Sequence, residues 1–140
     1  MMSSTPVIFN GIIDDFTPVL DASGPWQVSG KWTLTLTGYS GRENFTAALN
    51  MVRAENPANR SPHTHQITIS DGQVTSLPNG FQVSGNATIT ANGNLAFSGS
   101  PVTVHITGGS AVPFSNIALT FGGAAVAHFN DQPLHGVVTQ

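Results

Sequence analysis

The stretch WQVSGKWTLTLT, residues 26–37, alternates strictly between apolar and polar side chains. Its apolar face includes Trp26, Trp32 and Leu34, and its other face carries polar side chains, three of them threonines. A period of two is typical of a β-strand with one buried face, whereas an amphipathic helix repeats its apolar residues every three or four positions. The stretch therefore predicts a strand with its apolar face in the core.

The same alternation recurs along most of the chain. Apolar residues two positions apart occur in the ranges 45–51, 67–69, 81–89, 102–106 and 117–121. No helical apolar pattern persists for three turns, so the sequence predicts an all-β protein of about nine strands with little or no helix. The predicted core comprises Trp32, Leu34, Leu49, Ile67, Ile69, Val83, Ile89, Phe97, Val104, Leu119 and Phe121.

Asp71-Gly72 predicts the first hairpin turn. A two-residue type I′ turn needs positive φ at both central positions, which Asp-Gly tolerates. Such a turn places Ile69 opposite Val74, an apolar residue opposite an apolar residue. A three-residue loop would instead place Ile69 opposite Gln73.

Three further connections are predicted downstream. At residues 91–93, a three-residue turn with a left-handed glycine pairs Ile89 with Leu95, which keeps apolar residues opposite one another. Residues 98–101 predict another turn, and residues 108–113 predict a longer loop.

A meander of half-buried strands must bury its apolar face, either by closing on itself or by folding into two layers. Residues 72–130 contain no formally charged side chain, so they offer no lysine or glutamate to protect an exposed strand edge. Closure removes such edges. The sequence therefore predicts one domain, residues 1–140, in which an antiparallel meander closes into a small β-barrel, with residues 1–5 as a disordered tail. A two-layer β-sandwich is the alternative.

The composition excludes several classes of function. The chain contains no cysteine, so disulfides, thiolate nucleophiles and cysteine-ligated zinc are absent. Four Lys and Arg residues and a formal net charge of −3 offer no electrostatic footprint for nucleic acid or anionic lipid. No apolar run is long enough to predict membrane insertion. The N-terminal segment lacks the features of a signal peptide, which predicts a cytoplasmic protein, with leaderless export or surface exposure as alternatives.

The stretch SPHTHQ, residues 61–66, carries the strongest candidate for a site. Strand alternation places His63 and His65 on the inner face with Ile67. An H-x-H pair projects both imidazoles from one side of a strand, with Cα atoms about 7 Å apart, which allows both rings to reach one ion. Alternatively, Pro62 delays the start of the strand, and the histidines then have a structural role at the rim.

A metal site needs a third ligand, and His128 is the best candidate because it shares a face with Val126. His105 has the opposite parity and is predicted to point outward. The predicted site is thus a small pocket at the barrel mouth, lined by His63, His65 and His128, with Trp26 or Trp32 nearby. If a cofactor binds there, the chemistry of imidazole favours a divalent metal, Zn²⁺ or Cu²⁺.

Three functions follow from these features. The first is a non-catalytic module that binds a small molecule at the barrel mouth. The second is a structural or surface interaction protein that associates, for example as a homo-oligomer, through uncharged strand edges. The third is a histidine-based metal-binding protein or metalloenzyme. No nucleophile elbow or phosphate-binding loop is present, which favours a function without catalysis.

Two short stretches resemble known families. Gly30-Lys31-Trp32 at the head of an alternating strand resembles the G-x-W motif of lipocalin-like barrels, and the chain length is similar. Those barrels usually close an arginine from a late strand over the tryptophan, whereas this chain has no arginine after Arg60. A strand-rich segment followed by H-x-H is similar to CHRD-type β-domains, although the glycines of that family are not found. Neither resemblance assigns a functional residue.

Overall fold

The computed structural model describes residues 6–16, 25–53, 62–108, 114–123 and 133–139. Within these residues the chain forms eight antiparallel strands and no α-helix. The strands are β1 (Val7–Phe16), β2 (Trp26–Leu36), β3 (Glu43–Arg53), β4 (His63–Leu77), β5 (Gly80–Ala91), β6 (Asn94–Thr107), β7 (Asn116–Phe121) and β8 (Leu134–Val138). In this part of the chain, no helix is long and apolar enough to cross a membrane.

Each strand pairs with the next one along the chain, and β8 pairs with β1 to close the barrel. The predicted all-β antiparallel meander and its closure are therefore confirmed, and the two-layer alternative is not adopted. The closing seam is short, because only Gly11 to Ile13 of β1 pair with β8 in the described register. The predicted disorder of residues 1–5 lies outside the described residues.

The inner faces are those that the alternation predicts. Inward side chains from all eight described strands form one cluster, most of them at most 2% exposed. An eight-stranded barrel is just wide enough for side chains to fill it, so this interior is a packed core. Of the predicted core residues, ten are buried, and Phe97 is half-buried at the edge of the cluster.

Gly11 makes room for the largest core side chain. A Cβ atom at this position would lie 2.7 Å from Cζ2 of Trp32 and 1.9 Å from the carbonyl oxygen of Val137. The Trp32 indole therefore packs directly over β1, close to the seam with β8. Its Nε1 is buried and has no hydrogen-bond partner among the residues that the structure describes.

The turn predicted at Asp71-Gly72 is wrong. β4 continues through these residues, and the register with β5 shifts between Ile69 and Gln73, which marks a β-bulge. Asp71 accepts a hydrogen bond at Oδ1 from the backbone N–H of Asn86, at 3.1 Å. The carboxylate thus satisfies a donor on the neighbouring strand at the bulge, and the chain reverses only at Pro78-Asn79.

The turn predicted at residues 91–93 is present and Gly93 is left-handed as predicted, but the predicted length of three residues is wrong. Asn92 and Gly93 have φ values of 50° and 84°, and Ala91 pairs with Asn94, which defines a two-residue turn of the type I′ kind. This turn leaves Leu95 exposed at 65%. The register then shifts by a bulge, so that Ile89 faces Phe97.

Residues 98–101, which were predicted to form a turn, instead form a second irregularity inside β6. Gly99 has a φ of 67°, and the pairing resumes with Ser100 opposite Ala87. Because β6 continues through this bulge, the described strands number eight where about nine were predicted. The loop predicted at 108–113 falls in the gap between β6 and β7, where residues 109–113 lie outside the described residues.

Candidate functional site

The two histidines open β4 at one end of the barrel. His63 pairs with Met51, and His65 pairs with Leu49. His65 is only 2% exposed, and His63 is half-buried. Their predicted position on the inner face is therefore confirmed, because the strand begins at His63 in spite of Pro62.

Four side chains from β2, β3 and β4 form a stacked group at this end, here called the histidine cluster: Trp26, Arg53, His63 and His65. The two imidazoles meet edge to face with 4.7 Å between ring centroids. The Trp26 ring meets His63 in the same way at 5.0 Å. The guanidinium carbon of Arg53 lies 5.3 Å from the centroid of Trp26, within the range of a cation–π contact.

Arg53 is absent from the site predicted from the sequence, although a signal for it exists. The alternation that buries Leu49 and Met51 continues to position 53, so parity places Arg53 on the inner face. In the register, Arg53 faces Trp26 across the β2–β3 pair. An inward arginine at the end of a strand is therefore the signal in the sequence that marks this end of the barrel.

A backbone carbonyl fixes the ring of His65. Nδ1 of His65 lies 2.9 Å from the carbonyl oxygen of Thr90 on β5. A carbonyl oxygen only accepts hydrogen bonds, so Nδ1 carries the proton in this contact. In the neutral ring, Nε2 is then the acceptor nitrogen, the atom type that a ligand donor or a metal ion binds.

The other predicted site residues are not all brought to this end. Trp32 lies six positions after Trp26, or about 20 Å along a strand, and stacks on Phe45 in the core with 6.2 Å between centroids. Trp26 is thus the tryptophan beside the histidines. His128 lies outside the described residues.

Two further histidines lie away from the cluster. His105 is half-buried on β6 and alternates with the buried Val104 and Ile106, so its predicted outward position is confirmed. His135 on β8 is exposed, and its backbone N–H and Nδ1 both contact Oδ2 of Asp15, at 2.9 and 2.8 Å. This pair joins β8 to β1 at the closing seam and is separate from the cluster.

The described residues include no group of three or more His, Cys, Asp or Glu side chains that could hold a metal ion. The predicted metal site depends on His63, His65 and His128. The structure brings the first two together, and the third lies outside the residues that it describes.

The opposite end of the barrel buries a carboxylate that the sequence analysis did not select. Glu43 opens β3 and is 2% exposed. Its Oε1 accepts hydrogen bonds from the backbone N–H and from the hydroxyl of Thr37, both at 2.6 Å. Glu43 thus closes the connection between β2 and β3, and its inward parity with Phe45 was the available signal.

Comparisons of this chain with known protein families, with curated proteins and with solved structures found no match. In the structure, Gly30-Lys31-Trp32 lies in the middle of β2, and the arginine of the cluster covers Trp26 instead of Trp32. The function is therefore inferred from geometry and chemistry.

Proposed function

We propose that this protein is a non-catalytic binding module that holds a small molecule at the histidine cluster. The observation that supports the proposal is the meeting of Trp26, His63 and His65 in one continuous edge-to-face series at the end of the barrel. Because the interior is filled by aliphatic and aromatic side chains, a ligand has to bind at an end or on the wall. The mouths of small barrels are common ligand sites.

The cluster combines the features of such a site. Aromatic walls with a few fixed polar groups are typical of small-molecule pockets. Trp26 and His63 contribute aromatic rings, Arg53 contributes a positive charge, and His65 has an orientation set by Thr90. The ligand class that matches is a small planar molecule that packs against these rings.

A fragment library of small planar heterocycles, screened by NMR, tests this proposal. Binding fragments should shift the Trp26 indole resonance together with the ring resonances of His63 and His65. The variant His65→Phe keeps the ring volume and removes the nitrogens, and should weaken the best fragment at least about tenfold. His105→Phe, on the outer face, is the matched control and should bind like the unmodified protein.

Two outcomes contradict the proposal. The first is that no fragment shifts the three ring resonances at concentrations near saturation. The second is that His65→Phe and His105→Phe bind the best fragment with the same affinity as the unmodified protein.

A second candidate is a divalent metal, Zn²⁺ or Cu²⁺, because metal-ligating histidines commonly donate their other ring N–H to a backbone carbonyl. His65 makes this contact with Thr90. A Zn²⁺ titration near neutral pH should shift the rings of His63, His65 and His128 together. Binding should weaken as the pH falls, because a protonated imidazole cannot ligate. If zinc leaves all three rings unchanged, the metal candidate is rejected.

A further inference from the structure

The outer wall of the barrel carries a depression of about 230 Å³ on β3, β4 and β5. A second depression, of about 110 Å³, adjoins it toward β2, and Ala48 and Gln66 line both. The first is lined by outward side chains that include Asn50, Thr64 and Thr90, and the second by Lys31. Together they form one groove across four strands, here called the wall groove, on the outer face of the sheet, and His65 of the histidine cluster also lines the larger depression.

The register of the sheet explains why the convex outer wall has a groove here. Lys31, Ala48, Gln66 and Thr90 are neighbours in one row across β2 to β5. The short side chain of Ala48 lies between the two long side chains of Lys31 and Gln66, so its methyl group forms the floor. In the next row, Asn50 faces Thr64 and continues one side of the groove.

The β5–β6 turn forms a fixed wall of the larger depression. Asn92 donates its backbone N–H to the carbonyl oxygen of Thr64 at 2.9 Å, and its Oδ1 accepts the N–H of Thr64 at 3.0 Å. These two bonds hold the turn, and Gly93 within it, against β4. A wall that is ordered before a ligand arrives lowers the entropic cost of binding.

The groove presents neutral groups that both donate and accept hydrogen bonds. The amides of Asn50 and Gln66 do both, as does the hydroxyl of Thr64. Thr90 accepts the backbone N–H of Gln66 at Oγ1, at 3.2 Å, which leaves its own O–H as a donor. Among the described lining residues, Lys31 is the only charged one.

We infer that the wall groove binds a neutral carbohydrate, with one sugar ring in each of its two depressions. Sugar hydroxyls also donate and accept, so they match alternating amides and hydroxyls, while the methyl of Ala48 packs against the C–H groups of a ring. The larger depression falls below the ~300–1,000 Å³ of sites for drug-sized ligands, which fits a single ring. The inference is independent of the function proposed for the histidine cluster.

NMR titrations with maltose and with glucose test the inference. Maltose should shift the side-chain amide resonances of Asn50 and Gln66 and the backbone resonance of Lys31. Glucose should bind at least about threefold more weakly, because it fills one depression only. The variant Ala48→Phe fills the floor and should weaken maltose binding at least about tenfold, whereas Thr120→Phe, on the outer face of β7, should leave it unchanged.

The variant Gln66→Ala keeps the test decisive if Ala48→Phe perturbs the barrel. It removes hydrogen bonds without adding volume and should weaken maltose binding about threefold to tenfold. The inference is overturned if maltose shifts none of these resonances at concentrations near saturation. It is also overturned if Ala48→Phe and Gln66→Ala bind maltose as tightly as Thr120→Phe does. Ring shifts of His63 and His65 without shifts of Asn50 and Gln66 belong to the histidine cluster and contradict the inference.

Discussion

Among the described residues, each end of the barrel buries an ionisable side chain, and the two side chains make different contacts. Glu43 at one end and His65 at the other are both 2% exposed. Both Glu43 contacts go to Thr37, six residues away in sequence, and they hold a local connection. The His65 contact goes to Thr90, 25 residues away on another strand.

Burial alone therefore does not distinguish the two ends, and the contacts of each buried side chain do. Glu43 accepts two hydrogen bonds at one oxygen, and the result is a closed turn between β2 and β3. His65 has its ring oriented by a carbonyl and packs beside a second imidazole, which in turn packs on Trp26. We therefore assign a structural role to the Glu43 end and propose binding for the histidine end.

The largest change in the free energy of unfolding is expected in the core, between the two ends of the barrel. Leu34 is fully buried and lies between Phe9 and Phe45 in the register. Leu34→Ala should lower the free energy of unfolding by about 2–5 kcal/mol, through lost burial and a residual cavity. Urea unfolding followed by tryptophan fluorescence measures the change. A loss below ~1 kcal/mol would contradict the packing described for the core.

A smaller loss is expected at the Glu43 end. Glu43→Ala leaves the N–H and the hydroxyl of Thr37 without their acceptor, which should cost about 1–3 kcal/mol. Glu43→Gln keeps an acceptor oxygen in the same place and should cost less than ~1 kcal/mol. The same urea titration compares the two variants, and equal losses would show that the charge, and not the hydrogen bonds, stabilises this end.

The smallest change in stability is expected at the histidine end. His65→Phe preserves the ring volume and loses one hydrogen bond to Thr90, so the free energy of unfolding should fall by only about 0.5–1.5 kcal/mol. The same variant should bind the best fragment at least about tenfold more weakly, so the affinity reports on the site while the stability stays nearly unchanged. If the variant instead unfolds as readily as Leu34→Ala, His65 is primarily a core residue, and the contrast between the two ends disappears.

The strands were predictable from the sequence, and the turns were predictable only in part. In β2, β3 and β7 the apolar parity predicted which side chains are buried, and the structure agrees. The turn predicted at Asp71-Gly72 does not form, and the turn at residues 91–93 has two residues where the pairing of apolar residues predicted three. In each case a bulge restores the pairing of apolar residues a few positions further on, as Ile89 opposite Phe97 shows.

The candidate site was predictable only in part. Parity alone placed His63 and His65 on one inner face. It did not choose between Trp26 and Trp32, because both have the same parity on β2. The choice depends on the register with β3, which places Trp26 opposite Arg53 at the end where β4 begins.

The sequence by itself determined that this chain consists of β-strands, since a side-chain period of two is a local property of each strand. The short connections between these strands then predict an antiparallel meander. The sequence also determined which residues face the core. The tertiary structure decided the bulges in β4 and β6, the turn that lies against Thr64, and the meeting of Trp26, Arg53, His63 and His65. These features depend on which residues stand opposite one another on neighbouring strands, and a single strand carries no information about its partner's register.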